Sequence, residues 1–450
     1  MSGPVLQEAT TPAVGSRQEA PLVLDLDPPR PLGLLDQVTL WGNLGVSLFG
    51  PVTAAFVLAP TGTPMSLPAA FTALAVGVVL GSAILGLAAV PGARTGAPAM
   101  VLMRGLLGRR GSLAPTVLNV LQNVGWATFE VVVIAEAASK LTTESLRPLW
   151  VVLAGAVATT MAVKPLGSVR ALRKVVVWLV VLASAYLLVS LLREPAPHPT
   201  TGGWHGWMLA VDVALAAGGV SFAPLAADYS RHSRSSRAAF TGAFVGFGLA
   251  SAFYLTLGVL AFARIVDVGG DVIAALLAVP AGAVALLVLA VDEVDEAYAN
   301  VYSTTMSVQN LLPRVDRRVV SVGIGATATL LALGLDIAGY QNFLFLIGSV
   351  FVPLFAVVIV DFFLVSRGQW DLSAESPTRL APVLAWVLGF VTYQLINPGG
   401  VQMWARPWTS VRDALGVTPP AWMGASFTSF AVAAAAMAVL GAARRRRSMA

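Results

Sequence analysis

Beyond residue 32 the chain is a succession of apolar stretches of about 20 residues, separated by connections that gather most of the charge. A stretch of that length crosses a ~30 Å hydrocarbon core as an α-helix. The pattern predicts twelve spans, at 35–58, 67–90, 113–138, 147–163, 172–192, 206–226, 238–264, 281–311, 318–338, 341–365, 378–396 and 424–443. A shorter apolar segment at 271–280 reads as a re-entrant or surface helix. The first 32 residues are polar and Pro-rich, with no basic segment feeding a short apolar one. They read as a disordered tail rather than a signal peptide.

Composition narrows the class. Of 450 residues, 57% are hydrophobic and 11% charged, against about 25% charged in a soluble domain. That excludes a soluble enzyme, a DNA-binding module and a disordered scaffold, and makes lipid the main solvent. The net charge of +5 does not call for nucleic acid, because in a membrane protein the position of each charge matters more than the sum. Twelve spans put both termini on one side. Of the 28 basic residues, only Lys140, Arg147, Arg193, Arg264, Arg406 and Arg412 fall on the opposite side, which leaves 22 with the termini. The positive-inside rule then makes both termini cytoplasmic, in an inner or plasma membrane. There is no Cys, the three His lie in connections or tails, and no HExxH or GxSxG occurs. An integral-membrane enzyme would need a nucleophile–base pair or a metal cluster at bilayer depth, so an enzyme is not expected, nor is a cofactor.

Two spans carry Gly and Pro at their middles: Gly45 to Pro51 in the first, and Gly219 to Pro224 in the sixth. Corresponding breaks five spans apart point to a carrier built of two five-span repeats, the second inverted. A broken helix frees backbone groups at mid-membrane, which is tolerated only around a cavity or ligand. The expected architecture is all-α, with repeats at 33–200 and 201–368, two further spans within 369–443, and a basic tail at 444–450. The GxxxG pairs Gly77–Gly81 and Gly242–Gly246 read as close helix contacts. A single-channel pore is the competing membrane reading, and a functional monomer is expected.

Acids inside apolar spans are functional candidates because a charge there is expensive. They are Glu130 and Glu136 in the third span, Asp212 in the sixth, Asp292, Glu293, Asp295 and Glu296 in the eighth, and Asp361 in the tenth, with Asp336 at the end of the ninth. Gln122, Trp126 and Glu130 repeat every four residues, on one stripe of a helix. An indole beside a carboxylate suits a flat heterocycle: the ring stacks on the indole, and an amino group with an adjacent N–H pairs with the carboxylate. Asn300, Ser303 and Thr304 also share a face, and could offer hard oxygens to Na⁺ or simply bond their own helix. Of the four acids in span eight, Asp292 with Asp295 or Glu296 could share a face, as gating or proton-coupling groups. Asp228 and Asp361, near span ends, read as a gate or as partners of loop arginines.

These residues fall into a recurring set of motifs. They are Thr95-Gly96-Ala97-Pro98 with Arg104, Gly108, Gly111 and Ser112; Asn119 to Trp126; Asp228-Tyr229-Ser230-Arg231; Tyr298 to Ser303; and Asn342 to Gly348 with Phe351-Val352-Pro353. In that order the chain resembles the nucleobase:cation symporter-1 family, the purine/cytosine permeases. The resemblance implies a LeuT-like fold of 5+5 inverted helices plus two, with helices 1 and 6 broken. It implies a nucleobase-like substrate, cytosine or a purine foremost, with hydroxymethylpyrimidine, allantoin or a hydantoin as alternatives, and Na⁺ or H⁺ as the coupling ion. Trp126 matches the family's stacking tryptophan, and Glu130 stands where relatives carry a base-bonding polar group. Gly219 falls near a second stacking aromatic, a role Phe222 could take. Gln309 falls near a base-contacting amide, and Asn43 and Ser221 join the substrate set beside the breaks. The resemblance places the cation between carbonyls around Gly45 and Leu48 and the Asn300, Ser303 and Thr304 oxygens.

Overall fold

The computed structural model describes residues 28–195, 202–267, 270–312, 314–335, 339–420 and 422–449. Among these the chain is helical, apart from one isolated bridge between Leu32 and Ser233. The first predicted span is two helices, α1 (Leu34–Leu44) and α2 (Phe49–Leu58), bent by 70° where they meet. Then come α3 (Leu67–Thr95), α4 (Ala99–Gly111), α5 (Leu113–Leu141), α6 (Arg147–Val163) and α7 (Pro165–Arg193). The sixth span is α8 (Trp207–Ala217), a 3₁₀ turn at Val220–Leu225 and α9 (Ala226–Ser230). There follow α10 (Ser236–Arg264), the short α11 (Val272–Ala278), α12 (Gly282–Leu311), α13 (Arg317–Gly334) and α14 (Tyr340–Val365). The chain closes with α15 (Leu380–Ile396), α16 (Gln402–Ala414) and α17 (Ala425–Met449).

A helix stands at each of the twelve predicted positions, and α11 at the short segment. Among the described residues, seven helices are long and apolar enough to cross a membrane, or eight with α1 and α2 as one bent span. The helix α12 misses that criterion although it is 30 residues long, and four acids interrupt its apolar pattern.

The glycines explain how closely the helices approach. A methyl at Gly77 or Gly81 would collide with Val211, Ala214 or Leu215 of α8, and one at Gly242 or Gly246 with Gln37, Val38 or Gly42 of α1. Both GxxxG pairs therefore sit where backbones nearly touch. Gly219 has φ +144, a value open to glycine alone, and its Cβ would lie 2.9 Å from the Gly81 carbonyl oxygen.

Three features depart from the expectation. Of the tail read as disordered, residues 1–27 lie outside the described residues, as does Asp336. Residues 28–32 are pinned: Arg30 donates to the Ala93 carbonyl at 2.7 Å, Leu32 N–H to His232, and Arg234 N–H to Leu32. Two connections hold helices of their own. The helix α4 kinks at Gly108 (φ +80), where the 377–378 backbone leaves no room for a side chain. The helix α16 carries Trp404 and Trp408 against Phe390 of α15. Both are short and polar enough to read as loop.

Asp212 and Asp361 resolve into structural anchors. Asp212 accepts from the backbone N–H groups of Ser426 (2.9 Å) and Phe427 (3.1 Å), so α8 caps the start of α17. Asp361 forks with Arg379 of the following connection at 2.6 and 2.9 Å, the loop-arginine partnership expected of it.

Candidate substrate site

The pairing of α5 with α12 sets the axial register of the site. The Asn119 side-chain amide donates to the Ser307 hydroxyl at 2.8 Å, and Asn123 to Ser303 at 3.5 Å. Four residues up one helix match four down the other, so the pair is antiparallel. Continuing the steps brings Trp126 level with Asn300, and Glu130 level with Glu296. The structure closes that last pair into a cluster: oxygens of Glu130, Glu293 and Glu296 all lie within 4.8 Å of one another, and all three residues are buried.

The break in span one opens onto this level. Glu293 accepts from the Ser47 hydroxyl at one oxygen (3.0 Å) and from the Leu48 N–H at the other (3.0 Å). Leu48 caps the start of α2, so a carboxylate meets the helix end that carries partial positive charge. Asn43, on the other side of the break, donates to Asp295 at 2.7 Å. One backbone amide of the break, that of Leu48, and the Asn43 side chain thus find their acceptors among the acids of α12.

Beside these contacts lies a small cavity of about 50 Å³. Its lining includes Gly45, Ser47 and Phe49 from the first break, Ser221 and Phe222 from the second, Trp126, Tyr340 and Glu296. Trp126 stands edge-on to Phe49 (6.1 Å), Tyr340 (5.8 Å) and Phe343 (5.3 Å), and its buried indole N–H has no partner. One oxygen each of Glu130 and Glu296 is also buried and unpartnered.

The sequence candidates separate accordingly. Trp126, Phe222, Ser221, Gly45 and Glu296 line one cavity, and Glu130 stands within reach of Glu296. Gly219 cannot carry a wall, since it is packed on α3, so Phe222 is the aromatic offered from the second break. Gln122 is a turn away. Its NH₂ donates to Asn119 (2.9 Å) and Asn123 (3.3 Å), and it faces a small void shared with Ser221.

Two placements need correction. Gln309 lies nine residues beyond the level of Trp126, about 14 Å along the helix axis, and its amide donates to the Val315 carbonyl at 3.0 Å. It does not reach the cavity. The expected cation ligands do not converge either. Thr304 donates to the Asn300 carbonyl at 2.7 Å, the bond within its own helix, and Ser303 donates to Asp228 at 2.6 Å. The Leu48 N–H meets Glu293 instead, about two turns away on α12, while Gly45 packs against Phe247 and Ala250 of α10. The groups opposite the break are carboxylates, not hydroxyls.

Asp228 holds α12 and α4 together, accepting from Ser303 and from the Ala99 N–H at 2.8 Å. Asp292 is buried on α12 and does not line the cavity. Glu293, one of the buried acids of span eight and without an assigned gating or coupling role in the sequence, is the one that meets the first break. Its i, i+3 relation to Glu296 was the available signal.

Residues 35–377 match a family described as permease for cytosine/purines, uracil, thiamine, allantoin. No curated protein is similar enough in sequence to match this chain. Among solved structures, the chain is similar to Mhp1, a nucleobase-cation-symport-1 family transporter, in a closed conformation with bromovinylhydantoin bound. The TM-score is 0.72 at 16% identity, over 96% of this chain and 95% of that one. Mhp1 in its inward-facing conformation gives 0.68 at 16%, over 96% and 94%. A Na⁺-coupled sialic acid symporter, substrate-bound and outward-open, gives 0.57 at 13%, over 91% and 95%. At these identities the likeness is one of fold.

Proposed function

The chain belongs to the family of permeases for cytosine/purines, uracil, thiamine and allantoin, and on that premise we propose that it is a secondary active transporter importing a nucleobase-like heterocycle by cation-coupled alternating access. It is a multi-pass membrane permease and not an enzyme. In this reading twelve helices cross the membrane as two inverted five-helix repeats plus two, both termini are cytoplasmic, and the monomer is the working unit. Cytosine or a purine is the foremost substrate.

The observation that carries the reading is one small cavity. There the two breaks meet, with Trp126 and Phe222 as aromatic walls and Glu296 as the acceptor beside Glu130. A flat ring stacks on the indole while its N–H groups meet the carboxylates. At about 50 Å³ the cavity is smaller than a heterocyclic ring, so entry of a ring goes with movement of its walls. A larger cavity of about 450 Å³ lies between the end of α2 and the start of α8, lined by Phe56, His205 and Asp212. Ala216 and Leu344 line both it and the small void at Gln122, and Ser221 lines that void and the inner cavity. In this reading these shared residues lie along the path a substrate takes to the site. The coupling ion is Na⁺ or H⁺, and its oxygens come from the acids facing the first break. Asp228, tying α12 to α4, acts as an inner gate.

Uptake of radiolabelled bases into proteoliposomes, with and without a Na⁺ or pH gradient, tests this. The expected result is gradient-driven accumulation of at least one nucleobase. A chain that accumulates no nucleobase, hydroxymethylpyrimidine, allantoin or hydantoin under either gradient is not this transporter.

A further inference from the structure

Two apolar spans, Tyr340–Val365 and Ala425–Ala443, end at the same place. Between their last turns and α4 lies a cavity of about 440 Å³ that shares no lining residue with the substrate cavity. Val365 of α14 and Gly441 of α17 both line it, packed so closely that a methyl on Gly441 would collide with Val365. The helix α4 supplies Arg104, and the 366–379 connection supplies Gln369, Asp371 and Arg379. Because two spans stop here, the cavity stands at one boundary of the hydrocarbon core, the level of lipid headgroups.

The two arginines in its lining are not equivalent. Arg379 is committed to protein: Asp361 takes its fork, and the Gly105 carbonyl and Ser366 take the rest. Arg104 donates through Nη2 alone, to the Asn310 side chain at 2.6 Å and its carbonyl at 3.3 Å. Among the described residues its Nε and Nη1 have no hydrogen-bond partner, and no carboxylate pairs with it. A guanidinium has five N–H donors, so most of them are left for a ligand. Burial and the charge of Arg109 beside it both lower the pKa of Arg104, as for a cation short of negative partners. Asp371, the acid in the lining, is exposed and accepts from the Ser373 N–H of its own loop at 2.9 Å.

The elements that build the cavity carry a surplus of positive charge. Arg109 and Arg110 end α4, Arg367 begins the connection, and α17 runs on from Gly441 into four arginines at 444–447. Apart from Asp361, with its Arg379, the acids on these elements are Asp371 and Glu375. A guanidinium with free donors, an amide beside it and surplus arginine suit an oxyanion. At headgroup level that anion is a lipid phosphate, which basic pockets between membrane helices bind. We propose that this cavity binds the phosphate of an anionic lipid, with Arg104 as its chief donor and the Gln369 amide beside it. Arg104 holds Asn310, near the end of α12, with its other nitrogen. The lipid thereby steadies α4 against the helix that carries the buried acids, whichever ring is transported.

The test melts the purified full chain in neutral detergent with added phosphatidylglycerol or phosphatidylcholine of the same acyl chains, at fixed ionic strength. Phosphatidylglycerol is expected to protect at a concentration about tenfold below phosphatidylcholine. Arg104→Gln should abolish the difference, and Arg104→Lys should keep part of it. Gln369→Glu sets a carboxylate in the lining from an exposed position and leaves the Arg104–Asn310 contact in place. It should abolish the difference too, and it reports if Arg104→Gln does not fold. Arg110→Gln removes the same charge from the exposed end of α4 and should leave the difference unchanged. A loss in Arg110→Gln as large as in Arg104→Gln would mean diffuse surface attraction and overturn the proposal. Equal protection by the two lipids would also overturn it; if orthophosphate then protects, the cavity takes a soluble anion instead.

Discussion

Replacing Arg379 with alanine is expected to lower the unfolding free energy by about 3–5 kcal/mol, the range for breaking a buried ion pair by removing one partner. Asp361 is fully buried and Arg379 is 15% exposed, so solvent screens the pair little. The geometry is bidentate, at 2.6 and 2.9 Å, and Asp361 also accepts from the Trp370 indole (2.7 Å) and Ser366 (2.9 Å). Arg379 reaches further, to the Gly105 carbonyl at 2.6 Å, and so joins α14, the 366–379 connection and α4. Arg379→Lys is expected to recover little, because an ammonium offers no planar fork. The double change Asp361→Leu with Arg379→Leu is expected to restore much of the loss, since the uncompensated buried charge is gone. Melting of the purified protein in detergent reads all three. An Arg379→Ala variant that melts with the wild type would contradict the account of this joint.

The second large effect is expected at Glu293. Glu293→Ala strands the Ser47 hydroxyl and the Leu48 N–H inside the membrane, at about 1–3 kcal/mol for each group left unsatisfied, and removes a negative charge from the start of α2. The break then loses its hold on α12, and the cavity lined by Ser47, Phe49 and Trp126 loses its shape. Transport is expected to fall by about tenfold or more, with a lower melting temperature. Glu293→Gln keeps an acceptor oxygen and should fall between. Wild-type uptake and melting in Glu293→Ala would show that the carboxylate does not organise the break.

Much of this arrangement was legible in the sequence. Apart from α4 and α16, the positions of the helices followed from apolar length. The break at Gly45 and the stripe from Gln122 to Glu130 followed from local chemistry, which depends on neighbours three and four residues away. Asp361 announced a loop partner because a charge near a span end needs one.

What stayed hidden was axial register. The helix α12 carries two polar faces, one at 293–296 and one at 300–304, and helical periodicity rates them alike. Which of them meets the first break depends on how α12 slides against α1 and α5, a matter of tertiary packing. Resemblance chose 300–304, and hydrogen bonds choose 293–296: Asn43 to Asp295 and Leu48 to Glu293. The same slip carried Gln309 out of the site. Spacing puts Glu293 on a face with Glu296 but does not show that it completes the backbone of another helix, at Leu48.

The central claim is that substrate binds in the cavity between Trp126 and Phe222, at the level of Glu130 and Glu296. Equilibrium binding of the transported ring to Trp126→Ala, Phe222→Ala and Gln309→Ala tests it most directly. Loss of the stacking indole should weaken binding by about tenfold to a hundredfold, the scale of 1–3 kcal/mol per aromatic–base stack. Phe222→Ala should weaken it in the same direction, and Gln309→Ala should leave it unchanged. Wild-type affinity in Trp126→Ala together with lost affinity in Gln309→Ala would place the substrate elsewhere and contradict the account.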